Sequence, residues 1–164
     1  MVWILIVSLL ICVDQMTKAL VISAIGPWER IPVIKGFFYL VNRTNTGGAW
    51  SLFAGFDWSI LVLSILSGVA CLVIAVLMVR WKSTPMRVCL SVILAGSAGN
   101  LIDRAVYSGV TDFLSFRFFG YEFPTFNFAD MLLVCGTIVM ILLLLIHPAW
   151  LSSIGGHRHP VDPE

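Results

Sequence analysis

Three short stretches of this 164-residue chain carry one aspartate each, two of them with an asparagine: Gly99-Asn100-Leu101-Ile102-Asp103-Arg104, Val110-Thr111-Asp112-Phe113 and Phe126-Asn127-Phe128-Ala129-Asp130. They fall where one very apolar segment ends and the next begins. Ionised groups in or beside hydrocarbon are costly, so acids gathered there mark a functional site. Asp112 and Asp130 are the pair best suited to chemistry, because a loop residue and a helix-start residue can meet at one point. When two carboxylates share a site, the like charge raises one pKa, so one keeps its proton while the other can take one from water. That division of labour is general acid and general base catalysis of hydrolysis. Asp130 also has a plainer use: Asn127 followed three residues later by an acid fits a helix N-cap and its dipole. The two roles are compatible.

Asn100, Asp103 and Arg104 lie on neighbouring positions of one helix face. Arg104 and Asn100 could grip a substrate backbone or orient the pair, since arginine offers a rigid fork of donors and stays charged. The plainer reading is an ion pair that fixes a helix end. Asp103 is a rival for catalysis, ranked below Asp112 because a neighbouring arginine favours permanent ionisation. Asp14 and Lys18 stand one helical turn apart and form either a structural pair or a support beneath the site. Asn45, in a glycine-rich turn, could hydrogen-bond an extended peptide or serve turn geometry alone. The Asn42-Arg43-Thr44 sequon and the His157-x-His159 pair in the tail are weak signals. No histidine or cysteine lies near the aspartates, so neither a metal hydrolase nor a serine mechanism finds its residues, and no cofactor is expected.

The elements that must position these groups follow from composition. The chain is 59% hydrophobic and 12% charged with a net charge of +1, and its mean hydropathy is +0.98. A soluble domain is roughly 25% charged, so the excess of apolar residues points to a membrane. The absence of any basic run excludes an electrostatic footprint for nucleic acid. Cys12, Cys71, Cys89 and Cys135 sit in apolar runs without C-x-x-C spacing and read as small buried hydrophobes. Four stretches reach the span of about 20 apolar residues: Val2 to near Ile25, near Trp58 to Val79, near Met86 to Val106, and near Ala129 to Ile146. Arg80, Lys82 and Arg87 in the second connection, with Arg158 in the tail, place those ends in the cytoplasm by the positive-inside rule. Both termini are then inside and the two longer loops outside. The first outer loop, near Gly26 to Asp57, predicts short strands around Ile31 to Val41 and an amphipathic piece through Phe53. The second, near Tyr107 to Asn127, is equally aromatic. Residues 1–154 form one integral-membrane domain, and Gly155 to Glu164 reads as a disordered cytoplasmic tail.

With these residues assembled, the chain resembles the lipoprotein signal peptidase (signal peptidase II) family. The resemblance rests on Asp14-Gln15-x-Thr17-Lys18, Asn45-Thr46-Gly47-Gly48-Ala49-Trp50-Ser51 and the three stretches above, five motifs in order among four spans. It departs from the usual pattern at Thr111, Gly48 and Trp50. It implies an aspartic peptidase with Asp112 and Asp130 as the catalytic pair, supported by Asp14, Asn45, Asn100, Arg104 and Asn127, and with Asp103 structural. It implies a membrane α-helical fold of four transmembrane helices with a small extracytoplasmic β-cradle and an interfacial amphipathic segment. The implied setting is the bacterial cytoplasmic (inner) membrane with the active site facing outwards. The implied substrate is a prolipoprotein carrying a diacylglyceryl cysteine, cut on the amino side of that cysteine. The expected partners are this substrate and membrane lipid, with no nucleic acid, and the chain is expected to be monomeric. The alternative from another class is a small transporter or channel subunit with Asp14, Lys18 and Asp103 along an ion path, and a structural assembly factor is a third.

Overall fold

The computed structural model describes residues 2–47, 56 and 58–153. Four helices among them are long and apolar enough to cross a membrane: α1 (Val2–Ala24), α2 (Ser59–Arg80), α3 (Thr84–Tyr107) and α4 (Phe128–Ile146). The expected spans agree with these to within two residues at each end. The largest difference is at α3, where Pro85 lies inside the first turn rather than before it. Proline is tolerated there because its missing N–H has no partner within the first turn anyway. The expected amphipathic piece through Phe53 and the expected disordered tail lie outside the described residues.

α3 is the central helix and packs against α1, α2 and α4. The reason is legible in its composition. Lipid tails are as apolar as leucine, so helices associate in a bilayer through close packing of small residues and hydrogen bonding of polar ones. α3 supplies both in Gly96-Ser97-Ala98-Gly99-Asn100, and its buried positions run from Met86 to Asp103. At Gly96 an added Cβ would stand 2.5 Å from the carbonyl oxygen of Ala129, and at Gly99 it would stand 2.5 Å from Oδ2 of Asp14. Glycine is therefore required for α3 to touch both α4 and α1. By contrast, α2 buries only Ser59 and presents leucine, isoleucine and valine all round, the pattern of a lipid-bathed helix.

The two long loops combine into one antiparallel sheet of order β1-β2-β3-β4. Strands β1 (Arg30–Ile34) and β2 (Phe38–Asn45) come from the first loop, and β3 (Val110–Phe118) and β4 (Tyr121–Glu122) from the second. β1 tolerates Pro32 because it is an edge strand, where one missing donor breaks no ladder. The pairing of β2 with β3 joins the loops and sets Arg43 opposite Asp112, Thr44 opposite Thr111 and Asn45 opposite Val110. α3 ends at Ser108, which adopts a left-handed conformation with φ 55, and β3 begins two residues later. At the other end of the bundle, Trp81 Nε1 donates to the carbonyl of Trp150 at 2.9 Å, tying the 3₁₀ turn Pro148–Ser153 back to the α2–α3 connection.

Candidate active site

Asn127 is the N-cap of α4. Its side-chain oxygen accepts from the Asp130 backbone N–H at 3.0 Å, and Asp130 Oδ2 accepts from the Asn127 backbone N–H at 3.2 Å. The capping box expected from the sequence is thus formed, and it fixes the Asp130 carboxylate at the positive end of the helix. A further α4 N–H, that of Ala129, is satisfied from a distance: Asp14 Oδ1 on α1 accepts it at 2.9 Å. No local motif signals this bond, because its partners are 115 residues apart.

Asn127 also reaches the other acid. Its Nδ2 donates to Asp112 Oδ1 at 2.8 Å and to Asn100 Oδ1 at 3.2 Å. Asn45 Nδ2 donates to Asp112 Oδ2 at 3.0 Å, while Asn45 Oδ1 accepts from Gly47 N–H at 3.0 Å in its turn. Asn100 Nδ2 donates to Asp130 Oδ1 at 2.8 Å. Three asparagines therefore link the two carboxylates, and each amide is oriented by a second bond. Asp112, on β3 outside the helices, is 1% exposed. Burial, reinforced by the negative charge of Asp130, pushes its carboxyl up to about 7 against the opposing hydrogen bonds of Asn45 and Asn127 and the charge of Lys18.

Lys18 lies beneath this pair. Its ammonium meets Asp14 Oδ2 at 2.9 Å, Asp103 Oδ2 at 3.2 Å and Asn100 Oδ1 at 3.1 Å. Gln15 Nε2 adds bonds to Asp14 Oδ2 at 3.1 Å, Asp103 Oδ1 at 2.9 Å and the Gly99 carbonyl at 3.2 Å. Asp14 and Asp103 are both fully buried, so a single cation balances two carboxylates with every oxygen bonded. This changes one expectation. Asp103 takes its cation from α1, not from adjacent Arg104, because successive residues point about 100° apart around a helix. Its Oδ2 also accepts from the Thr111 N–H at 2.9 Å, which pins the start of β3 one residue before Asp112. Arg104 turns the other way and donates to Ser67 Oγ at 3.2 Å and to the Asn100 carbonyl at 3.3 Å. Gln15, Ser67 and the Ala129 and Thr111 N–H groups carried no sequence expectation of their own.

A cavity of about 290 Å³ opens over the pair, lined by Asn45, Asn100, Arg104, Asp112 and Asp130 on its polar side and by Val110, Phe126, Leu133 and Val134 on its apolar side. Asp103, Asp14 and Lys18 do not line it. Among the described residues no group of three or more histidine, cysteine, aspartate or glutamate side chains is placed to hold a metal ion. Asn42 of the sequon donates to the Ile25 carbonyl at 2.9 Å, so its amide already serves the α1–β2 junction.

Residues 6–146 match the family model described as signal peptidase (SPase) II. The chain belongs to the signal peptidase II family. A lipoprotein signal peptidase of Desulforapulum autotrophicum is 40% identical over 141 residues, covering 84% of this chain and 87% of that one. One of Bacillus pumilus is 34% identical over 142 residues, covering 87% and 91%. Two solved structures share the fold of this signal peptidase. One bacterial membrane enzyme solved at 2.3 Å has a TM-score of 0.81 at 27% identity, covering 99% of this chain and 94% of its own. Another solved at 1.9 Å has a TM-score of 0.79 at 29% identity, covering 89% and 94%. The chain is thus a multi-pass membrane peptidase, and its family excludes the transporter and assembly-factor readings.

Proposed function

We propose that this signal peptidase removes the signal peptide from diacylglyceryl-modified prolipoproteins by direct attack of water, with Asp112 and Asp130 as the catalytic pair. The observation that carries the assignment is the shared asparagine frame: Asn127 binds both carboxylates, Asn45 and Asn100 hold one each, and both acids face one cavity. Asp130 is the ionised partner because the capping box and helix dipole favour its charge. Asp112, held up to about 7, carries the proton, although titration belongs to the coupled pair.

In the forward step Asp130 takes a proton from water as the water oxygen bonds to the scissile carbonyl carbon. Asp112 gives its proton to the carbonyl oxygen, and a neutral gem-diol results. Its collapse breaks the C–N bond as Asp130 returns a proton to the departing nitrogen and Asp112 recovers one from a hydroxyl. Arg104 and Asn45, both lining the cavity, serve as holders of the peptide carbonyls. Leu133 and Val134 open the cavity towards hydrocarbon, where the signal helix and the diacylglyceryl group stay. Arg80, Lys82 and Arg87 around the α2–α3 connection support an orientation with both termini in the cytoplasm and the sheet outside. The complete site comes from one chain, in keeping with a monomer.

Hydroxylamine distinguishes this mechanism from one with an acyl-enzyme. Cleavage in its presence should release a signal peptide with a free carboxylate only. A hydroxamate at that terminus would show a covalent intermediate and contradict water attack.

A further inference from the structure

A second cavity, of about 470 Å³, adjoins the first. Asn45 and the segment Phe123 to Thr125 line both. The second extends away from the apolar helix residues along the sheet, where Val41, Arg43, Thr44 and Asn45 of β2 line it. Arg43 is the cross-strand partner of Asp112, so the cleft runs beside the strand position that carries the catalytic acid.

The charge of this cleft is uneven. Among the described residues, Arg30 and Arg43 line it against a single carboxylate, Glu122. Arg30 is held in place by its Nη1 bond to Glu122 at 2.6 Å and by stacking at 3.7 Å over the Tyr39 ring. Its Nε and Nη2 have no hydrogen-bond partner among the described residues. Arg43 is exposed, with its guanidinium 5.0 Å from the Trp28 ring. Glu122 is already answered, since the hydrogen bond and charge of Arg30, with smaller contributions from Arg117 and Arg43, hold its carboxyl below the usual range. The surplus is positive, and the polar walls of Thr44, Ser115 and Thr125 suit an extended backbone.

Resting on the peptidase reading above, we infer that this cleft binds the residues that follow the lipidated cysteine and that it favours acidic side chains there. The two halves of the substrate have opposite solvents. The signal helix and lipid stay with hydrocarbon at Leu133 and Val134, while the mature chain is bound for water and must leave on the other side of the pair. The polar cavity that shares a wall with the catalytic one lies on that path. Its volume is in the ordinary range for a site that fixes a ligand.

The test uses the full-length enzyme in detergent at low ionic strength and three diacylglyceryl-modified prolipoproteins that differ only in the second and third residues after the cysteine: Asp-Asp, Asn-Asn and Lys-Lys. The kcat/KM should fall in that order, by about two- to fivefold per step, and the spread should shrink with added salt. Arg43→Gln should compress the Asp-Asp to Lys-Lys ratio, and Glu122→Gln should widen it. Being ratios, these readings survive a general loss of activity in either variant. Equal rates for the three substrates, a preference for lysine, or a ratio unmoved by both substitutions would overturn the inference while leaving the peptidase reading intact. No cleavage of any substrate by wild type would overturn both.

Discussion

Asp112 gives the folded state a proton that the unfolded chain does not keep, and this makes the wild type sensitive to pH in a way that Asp112→Asn should not be. Its carboxyl is held up to about 7, against an ordinary aspartate value near 3.9. Below about pH 4 both states are protonated and the difference vanishes. Between roughly pH 4 and 7 only the folded state holds the proton, so stability falls as pH rises through that window, and above about 7 the full penalty of a buried carboxylate is present. The gap converts to roughly 4 kcal/mol as a ceiling. Asparagine removes this dependence but brings a constant cost. Asn45 and Asn127 both donate to position 112, and an asparagine there has one acceptor where the carboxylate has two, leaving one donor unpaired at about 1–2 kcal/mol. The cost is independent of pH and the gain is not, so the slope isolates the proton. The assay is the thermal unfolding midpoint of both proteins in detergent, taken from about pH 4 to pH 8. The difference should shift in favour of the variant by several degrees between pH 4 and 7 and then level off. A difference that stays flat across the range would refute the raised carboxyl and, with it, Asp112 as the resting acid.

Further substitutions probe the frame around the pair. Lys18→Met leaves the buried carboxylates of Asp14 and Asp103 without their cation and should cost about 3–5 kcal/mol. Adding Asp103→Asn should recover part of the lost unfolding midpoint. Gly99→Ala sets a methyl against Asp14 Oδ2 and should cost about 1–3 kcal/mol by overpacking with loss of prolipoprotein cleavage. Gly68→Ala on α2 meets nothing within 4 Å among the described residues and should leave both the midpoint and cleavage unchanged. Asn45→Ala removes a hydrogen bond that lowers the Asp112 pKa, so the alkaline limb of kcat/KM against pH should move to higher pH.

The helices were legible because length and hydropathy are local properties of a chain, and the start of α4 was legible because Asn127 and Asp130 form a cap within four residues. What the sequence concealed is what depends on distant partners. Asp14 was expected as half of an ion pair or a support beneath the site; it forms the pair with Lys18, and its bond to the Ala129 N–H could not be read from α1 alone. Asp103 was paired in expectation with adjacent Arg104 rather than with Lys18 of α1, because adjacency in sequence is not adjacency on a helix. The strand that carries Asp112 was hidden in an aromatic loop, since β3 acquires its partner from β2, more than sixty residues earlier. Arg30, Arg43 and Glu122 belong to no motif as a set, and only the sheet brings them to one cleft.

The central claim is that Asp112 and Asp130 perform the cleavage and Asp103 does not. It is tested most directly by purifying wild type, Asp112→Asn, Asp130→Asn and Asp103→Asn in detergent and measuring cleavage of a diacylglyceryl-modified prolipoprotein, with the unfolding midpoint of each as the control for folding. The first two variants should be folded and inactive, and Asp103→Asn should keep residual activity in proportion to its remaining fold. An active Asp112→Asn beside a folded but inactive Asp103→Asn would contradict the assignment and move the pair to Asp103 and Asp130.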